Sequence, residues 1–301
     1  PREDAMRKLS TEKRAAILHS LCEGNSIAAT CRMCEVAKLT VLRLLADVGS
    51  LCQEYHDHTV RKLPCKRVQC DEIWSFCGCK QKNKERGKKG EGDVWTWTAL
   101  CADTKLLVSY LVGQRDGGCA TDFINDVADR LANRVQLTTD GLNLYLQPVE
   151  DAFGGAIDYS LLVKHYGPDP DEHRYSPAKC TGVTTVRVSG KPDPQHISTS
   201  YAERSNLTLR MSSRRFTRLT NAFSKKVVNH AYAVALHTWF YNFARPHMTL
   251  TKKAPKKRPT TPAMAAGLTD RIWTVADLVA MLEAEEARLE RGGRINKASR
   301  S

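Results

Sequence analysis

Apolar side chains at helical intervals mark the first fifty residues as a group of helices. Ile17 and Leu21 lie one turn apart after Ser10, a residue suited to cap the amino end of a helix. Gly24 is suited to end that helix. The pattern predicts a small all-α domain at the amino-terminal end of the sequence.

Residues 26–47 show the pattern of a helix-turn-helix. A short helix is predicted from Ser26, and a tight turn joins it to a second helix from about Leu39 to Asp47. In such a motif the second helix enters the major groove of DNA. The side chains predicted to face the groove are Lys38, Thr40 and Arg43. An ordinary three-helix packing unit is the alternative interpretation.

From residue 66 the period of the apolar positions changes to two, which is typical of strands. The elements predicted here are strands at 66–78, 134–141 and 156–167, two antiparallel strands within 94–113, and an amphipathic helix at 120–133. This order predicts an α/β (α+β) fold with a mixed five-stranded sheet and flanking helices. The segment that follows, 168–196, is rich in Pro, Gly and charge and is predicted to be an insertion, holding a hairpin around Val183 to Val188.

The formal net charge of +13 indicates a polyanionic partner, with nucleic acid as the first candidate. The segment from Arg204 to Arg258 contains thirteen Lys and Arg residues and no Asp or Glu, so its charge alone equals the net charge of the whole chain. A solvated face would normally mix the two signs. The segment is therefore predicted to follow DNA phosphates.

Membrane and secreted proteins are the classes that the sequence excludes. The most apolar stretch, 231–244, is interrupted by His237 and Asn242 and falls short of the roughly 18 residues that a membrane span needs. The first residues are charged and contain no apolar segment, so we expect no signal peptide. We expect a cytoplasmic protein.

The eleven cysteines are an odd number, which argues against a disulfide framework. Two clusters come near a zinc-ligand pattern: Cys31 and Cys34 with Cys22 and His19, and Cys65, Cys70, Cys77 and Cys79. Their spacings match no standard paired zinc motif, so the sequence argues against bound zinc.

Three acids stand where structural preferences argue against them. Asp71 lies inside the first predicted strand, although Asp is depleted in strands. Asp140 closes the fourth strand, where the alternative is a simple Asp-Gly turn. Glu203 falls in the first turn of a later helix, where the alternative is a capping box with Ser200.

A mixed sheet would gather these acids into one site. With the first strand at its centre, Asp71 would lie beside Asp140 on the neighbouring strand, and the later helix would bring Glu203 across. Carboxylates gathered in this way repel one another unless cations lie between them, and hard oxygen ligands favour Mg²⁺ or Mn²⁺. Two Mg²⁺ ions, for which Mn²⁺ can substitute, would activate an attacking oxygen and stabilise the leaving oxygen of a phosphodiester. The sequence predicts phosphoryl transfer on nucleic acid.

The motifs CDEIW, TTDG, YAERSNLTLR and YNFARPH are jointly specific. Through them the chain resembles, over nearly its whole length, the DDE transposases of bacterial insertion sequences, most closely the insertion-sequence-one family. The resemblance implies an RNase H-like catalytic domain with Asp71, Asp140 and Glu203 as the acidic triad. The resemblance also implies a Cys-rich zinc-binding region ahead of the helix-turn-helix, and residues 1–25 contain no pair of CxxC motifs that would match it.

Further DNA contacts are predicted around this triad. Asn206 and Arg210 lie three and seven residues after Glu203, on the same helix face, and are predicted to contact the DNA backbone; a solvated face is the alternative. The other residues predicted to contact DNA are Arg214, Arg215, Lys225, Lys226, Arg245 and His247.

The resemblance implies a transposase that binds the terminal inverted repeats of its element, cleaves the ends with Mg²⁺ and transfers them into target DNA. Double-stranded DNA and a second copy of the chain are the expected partners, in a bacterial, nucleoid-associated setting. The alternatives are a DNA-binding regulator derived from a transposase and a plain RNase H-like nuclease. The predicted divisions are a helix-turn-helix domain at 1–52, a connector at 53–66, a catalytic domain at 67–250, a basic linker at 251–262, and at 263–301 a C-terminal helix, offered as a dimer contact, with a basic tail.

Overall fold

The change from helical to alternating apolar positions is reproduced in the order of the elements. The structure is a computed structural model, and it describes residues 9–85, 90–167, 179–217 and 221–298. The helices are α1 (Thr11–Cys22), α2 (Ile27–Cys34), α3 (Lys38–Thr59), α4 (Gly117–Arg130), α5 (Leu146–Phe153), α6 (Ser200–Ser212), α7 (Val227–Trp239), α8 (Met248–Lys253), α9 (Pro262–Ala265) and α10 (Val275–Ala298). The strands are β1 (Arg67–Cys77), β2 (Gly92–Cys101), β3 (Leu107–Gly113), β4 (Gln136–Asp140), β5 (Asp158–Gly167) and β6 (Lys179–Ser189).

The strands form one mixed sheet in the order β3-β2-β1-β4-β5-β6. β1 pairs antiparallel with β2 and parallel with β4, so it is central, as predicted. Parallel pairing joins β4 to β5, while β3 and β6 pair antiparallel with their neighbours. Gln69 of β1 lies opposite Thr138 of β4. Asp71 follows Gln69 by two positions on β1, and Asp140 follows Thr138 by two positions on β4.

The prediction of five strands was wrong, because the sheet has a sixth. Residues placed in the predicted insertion, including the hairpin proposed around Val183 to Val188, instead form β6 along the edge of β5. Val183, Val186 and Val188 are 53%, 42% and 43% exposed, so this strand has no buried face to give an alternating pattern. The remainder of the insertion, 168–178, lies outside the described residues.

The described residues divide into two compact units. The sheet unit takes those within 60–88 and 92–208, and the helical unit takes those within 1–59, 89–91 and 209–301. The core of the sheet unit centres on Trp97, which is fully buried and meets Tyr145 edge-on at 5.4 Å between ring centroids. Phe123 of α4 lies 5.9 Å from the same ring, so α4 covers this part of the sheet.

In the helical unit α3 is much longer than predicted. The predicted helix ended at Asp47, whereas α3 continues to Thr59 and takes in part of the predicted connector. Cys52 is fully buried, and the ring of Tyr55 lies 5.2 Å from that of Phe243. Contacts with residues far along the chain therefore hold part of the predicted connector in a helix.

Other helices of this unit pack closely on one another. A Cβ atom on Gly49 of α3 would lie 2.4 Å from the Cβ of Tyr232 on α7, so the close approach of the two helices requires glycine.

The predicted dimer helix, α10, contacts α1 of the same chain, since Arg14 forms an ion pair of 3.0 Å with Glu286. Part of the acidic face of α10 is thus used inside this unit.

All eleven cysteines lie in the described part of the chain, and none of them is in a disulfide. Among the described helices, none combines the length and apolarity needed to cross a bilayer.

Candidate active site

Asp71, Asp140 and Glu203 line one cleft of the sheet unit, here called the carboxylate cleft, with a volume of about 520 Å³. The other lining residues are Arg115, Gly141, Leu142, Leu162, Val163, Lys164, Tyr166 and Thr199. β1, the end of β4 and the first turn of α6 supply the three acids. The cleft thus combines three carboxylates with two cationic side chains.

Asp71 is held by a pair of neutral side chains. The Nδ2 of Asn206 donates to its Oδ2 at 2.9 Å, and the Oγ1 of Thr98 donates to the Oδ1 of Asn206 at 3.1 Å. Asn206 is only 6% exposed, and both ends of its amide are engaged inside the protein. The predicted DNA contact is therefore corrected: Asn206 orients Asp71 because its side chain is buried against it.

The electrostatics of Asp71 are those of a crowded acidic site. Burial, and then the negative charge of Asp140, raise the pKa of Asp71 to about 7 from its ordinary 3.8. The hydrogen bond from Asn206 opposes this shift by favouring the carboxylate. A carboxyl group in such a place is easily neutralised, either by a proton or by a cation.

Glu203 reaches the cleft because β1 fixes the amino end of α6. The Oε1 of Gln69 accepts hydrogen bonds from the backbone N–H groups of Tyr201 and Ala202, at 2.9 and 3.1 Å. These donors belong to the first turn of a helix, where no partner exists inside the helix. A side chain two residues before Asp71 therefore aligns the helix that carries Glu203.

The alternative interpretation of Glu203, a capping box with Ser200, does not hold in the structure. Ser200 is already the first residue of α6, and Thr199 precedes the helix. The Oγ1 of Thr199 donates to the Oε1 of Glu203 at 2.5 Å, while the Nζ of Lys164 lies 2.5 Å from its other oxygen, Oε2. Both carboxylate oxygens of Glu203 are thus turned to partners in or beside the cleft.

Asp140 ends β4 and shapes the turn that follows. Its Oδ1 accepts a hydrogen bond from the backbone N–H of Leu142 at 3.0 Å. At Gly141 a Cβ atom would lie 3.1 Å from a methyl carbon of Val163, so the turn is close to β5. The Asp-Gly pair therefore serves both as a turn and as a way of directing a carboxylate into the cleft.

Sequence reasoning missed a fourth carboxylate and its cation. The side chain of Glu72 is 2% exposed, and burial, followed by the charge of Asp140, raises its pKa to about 7. Its Oε2 accepts from the Nη2 of Arg115 at 3.2 Å, and the guanidinium of Arg115 lies 4.6 Å from the ring centre of Trp95. The signal was a second acid directly after Asp71 inside a strand.

The donor types of the carboxylate cleft suit a hard divalent cation, because they are carboxylate oxygens. Their arrangement does not form a complete ligand set, since in the described residues no group of three or more His, Cys, Asp and Glu side chains could hold a metal ion. One oxygen of Glu203, Oε2, is paired with the ammonium group of Lys164. The two cysteine clusters likewise form no such group.

The remaining predicted DNA contacts belong to the helical unit. Lys38 and Arg43 are exposed on α3, and Thr40 is half-buried there. Arg245 is exposed, and its Nη1 donates to the Oγ of Ser212 at 3.0 Å. The other predicted contacts differ in exposure. Half-buried are Arg210, Arg215 and His247, and exposed are Arg214, Lys225 and Lys226. The structure therefore brings the three acids together in one unit and assigns the predicted basic contacts, apart from Asn206, to the other.

Comparison with known proteins gives a distant similarity only. No protein-family model and no curated protein sequence matches this chain. One similar solved structure is a cryo-EM structure of the piggyBac transposase synaptic complex with hairpin DNA. The two chains are 8% identical, the TM-score is 0.34, and the match covers 93% of this chain and 74% of the other.

Proposed function

We propose that this chain is a metal-dependent enzyme of phosphodiester chemistry on DNA. The observation that carries the proposal is the carboxylate cleft, where Asp71, Asp140 and Glu203 from three separate elements meet beside Arg115 and Lys164. An acid that serves only stability is rarely placed where burial and a neighbouring carboxylate raise its pKa, as they do for Asp71. The cost of this crowding is explained if the cleft has to bind cations and phosphate groups.

Within that class we propose a DDE transposase with an RNase H-like catalytic domain. A mixed sheet with a central β1 supports the proposal, as do the motifs around each acid. Helices α2 and α3 would form the helix-turn-helix that binds the terminal inverted repeats, and two copies of the chain would join the two ends of the element.

The residues of the cleft have separate tasks in this proposal. Asp71, Asp140 and Glu203 would hold two Mg²⁺ ions, which when bound would supply activation of the attacking oxygen and stabilisation of the leaving oxygen. Asn206 fixes the rotamer of Asp71. Lys164 pairs with Glu203 in the cleft; with Glu203 holding a cation, the ammonium group of Lys164 would be free to pair with a phosphate of the DNA.

A second candidate is a DNA-binding regulator derived from a transposase. It is favoured by the ion pair between Lys164 and Glu203 and by the lack, in the described part of the chain, of a complete metal-ligand group. In this case the helical unit would bind DNA while the carboxylate cleft has no catalytic role.

The deciding experiment uses the full chain with Mg²⁺ and labelled duplexes taken from the two ends of its own element. A transposase should nick the ends and produce joined molecules, and Asp71→Asn, Asp140→Asn and Glu203→Gln should each abolish both products. The matched control is Asp103→Asn, since Asp103 pairs with Arg67 and does not line the cleft. Products that persist in the three variants would contradict the site, and binding without cleavage in the parent chain would favour the regulator.

A further inference from the structure

A second cleft, in the helical unit, combines strong positive charge with an apolar floor. This basic cleft has a volume of about 560 Å³, within the range of about 300–1,000 Å³ typical of pockets that enclose a small ligand. Five cations line it: Lys38, Arg214, Arg215, Lys225 and Lys226. None of the described residues that line it is acidic. The ligand of such a cleft has to be an anion.

The floor of the basic cleft is made of half-buried apolar side chains. Ile27 at the start of α2, Leu42 on α3, and Phe223 all line it and are partly accessible. Flat aromatic ligands pack on such side chains, and bases of nucleic acid stack on aromatic rings with little regard for sequence. A ligand with an apolar face and anionic groups therefore fits better than a simple inorganic anion.

Amide and guanidinium groups of the cleft are placed for hydrogen bonding. Asn221 is exposed and Asn229 half-buried among the lining residues. The Nη1 of Arg215 donates to the buried Oγ of Ser224 at 2.6 Å, which holds the guanidinium at the wall of the cleft. Burial, followed by the charge of Arg215, lowers the pKa of nearby His230 to about 3, so this histidine stays neutral.

We propose that the basic cleft binds an unpaired segment of a DNA strand, with bases on the apolar floor and phosphates on the surrounding cations. The proposal rests on the proposed DNA function and goes beyond it. A duplex hides the faces of its bases by stacking and offers only their edges in its grooves. Apolar side chains on the floor of a cleft can stack only on bases that have left the duplex.

This assignment joins two groups of residues that the sequence separates. Lys38 precedes Lys225 and Lys226 by nearly 190 positions, yet all three line one cleft of one unit. Lys38 at the start of α3 and the later cations Arg214, Arg215, Lys225 and Lys226 would therefore act on the same strand. Loss of charge on either side should weaken binding of the same unpaired DNA.

The test compares two DNA ligands by fluorescence anisotropy with the full chain, without divalent metal so that no cleavage occurs. One ligand is a blunt 20-base-pair duplex, and the other is the same duplex with a single-stranded extension of four nucleotides. We expect the extended duplex to bind roughly tenfold more tightly, because stacking of even one base is worth this much. Two variants should reduce the ratio of the two affinities towards one. The first combines Lys225→Gln with Lys226→Gln, and the second is Phe223→Ala.

The matched control is Lys252→Gln with Lys253→Gln, which removes the same charge at exposed positions on α8, outside the cleft. It should preserve the ratio between the two ligands. Equal affinity of the parent chain for both ligands would overturn the inference while DNA binding stands, and binding of neither would overturn the proposed function as well. An unchanged affinity ratio in the variant Lys225→Gln with Lys226→Gln would also overturn the inference. If circular dichroism shows that Phe223→Ala does not fold, this lysine variant alone decides the test.

Discussion

Replacing Asp71 by Asn should stabilise the protein while abolishing the proposed activity. The pKa of Asp71 in the folded chain is about 7, above its ordinary 3.8. The folded chain therefore binds this proton more strongly than the unfolded chain does, and the free energy of unfolding falls as the pH rises from about 4 to about 7. Asn carries no charge, and its Oδ1 can still accept the hydrogen bond from Asn206.

The size of the effect follows from the two pKa values. A difference of about 3 pH units, at about 1.4 kcal/mol per unit, gives a penalty of about 4 kcal/mol for the ionised carboxyl group above pH 7. Asp140 shares the repulsion, so the gain measured for Asp71→Asn at pH 8 should be about 2–4 kcal/mol. At pH 5 it should be smaller by about 2 kcal/mol, because the folded wild-type chain is then largely protonated at this position.

The assay is urea unfolding at pH 5 and pH 8 with EDTA present, followed by tryptophan fluorescence. Asp158→Asn is the matched control, because Asp158 is also a strand residue but has a lowered pKa, caused first by its hydrogen bonds with Arg134. Its replacement should cost about 1 kcal/mol or less at pH 8. The reasoning is refuted if Asp71→Asn is less stable than the wild type at pH 8, or if its gain is the same at both pH values.

Three further predictions concern other parts of the chain. Affinity for DNA should fall steeply between about 50 and 200 mM salt. Lys225→Gln should reduce the slope of log affinity against log salt concentration by about one. An unchanged slope would mean that Lys225 faces solvent and contacts no DNA phosphate. Lys164→Met should tighten Mn²⁺ binding, measured by calorimetry or electron paramagnetic resonance, because it frees the carboxylate of Glu203; weaker binding would show that Lys164 supports the site instead. Gly49→Ala should destabilise the helical unit by about 1–3 kcal/mol, since the new Cβ meets Tyr232, and an unchanged melting temperature would contradict the close helix contact.

Much of the sheet and of the carboxylate cleft was predictable from local sequence. Alternation of apolar side chains through β1 identifies a strand, and an acid at Asp71 within that pattern indicates a site rather than a core position. The Asp-Gly pair at Asp140 marks the end of β4. Both signals are local, because they depend on residues within a few positions of each acid.

The parts that sequence reasoning missed depend on contacts between distant residues. β6 is exposed on both faces, so only its pairing with β5 identifies it as a strand. The second half of α3 is stabilised by aromatic contacts such as that of Tyr55 with Phe243, almost 190 positions away. The partner of the first turn of α6 is Gln69, more than 130 positions earlier, and no capping pattern near Ser200 could have indicated it.

The cap that Gln69 places on α6 affects how functional screens of this protein should be interpreted. One amide side chain sets the position of the helix that carries both Glu203 and Asn206, so its loss would displace a carboxylate and release the rotamer of Asp71 at the same time. Under the proposed function, replacement of Gln69 in a saturation screen would therefore abolish activity as replacement of the three acids would. A residue that is only 3% exposed would then have the mutational profile of a catalytic group, and only its neutral, hydrogen-bonding chemistry would distinguish it.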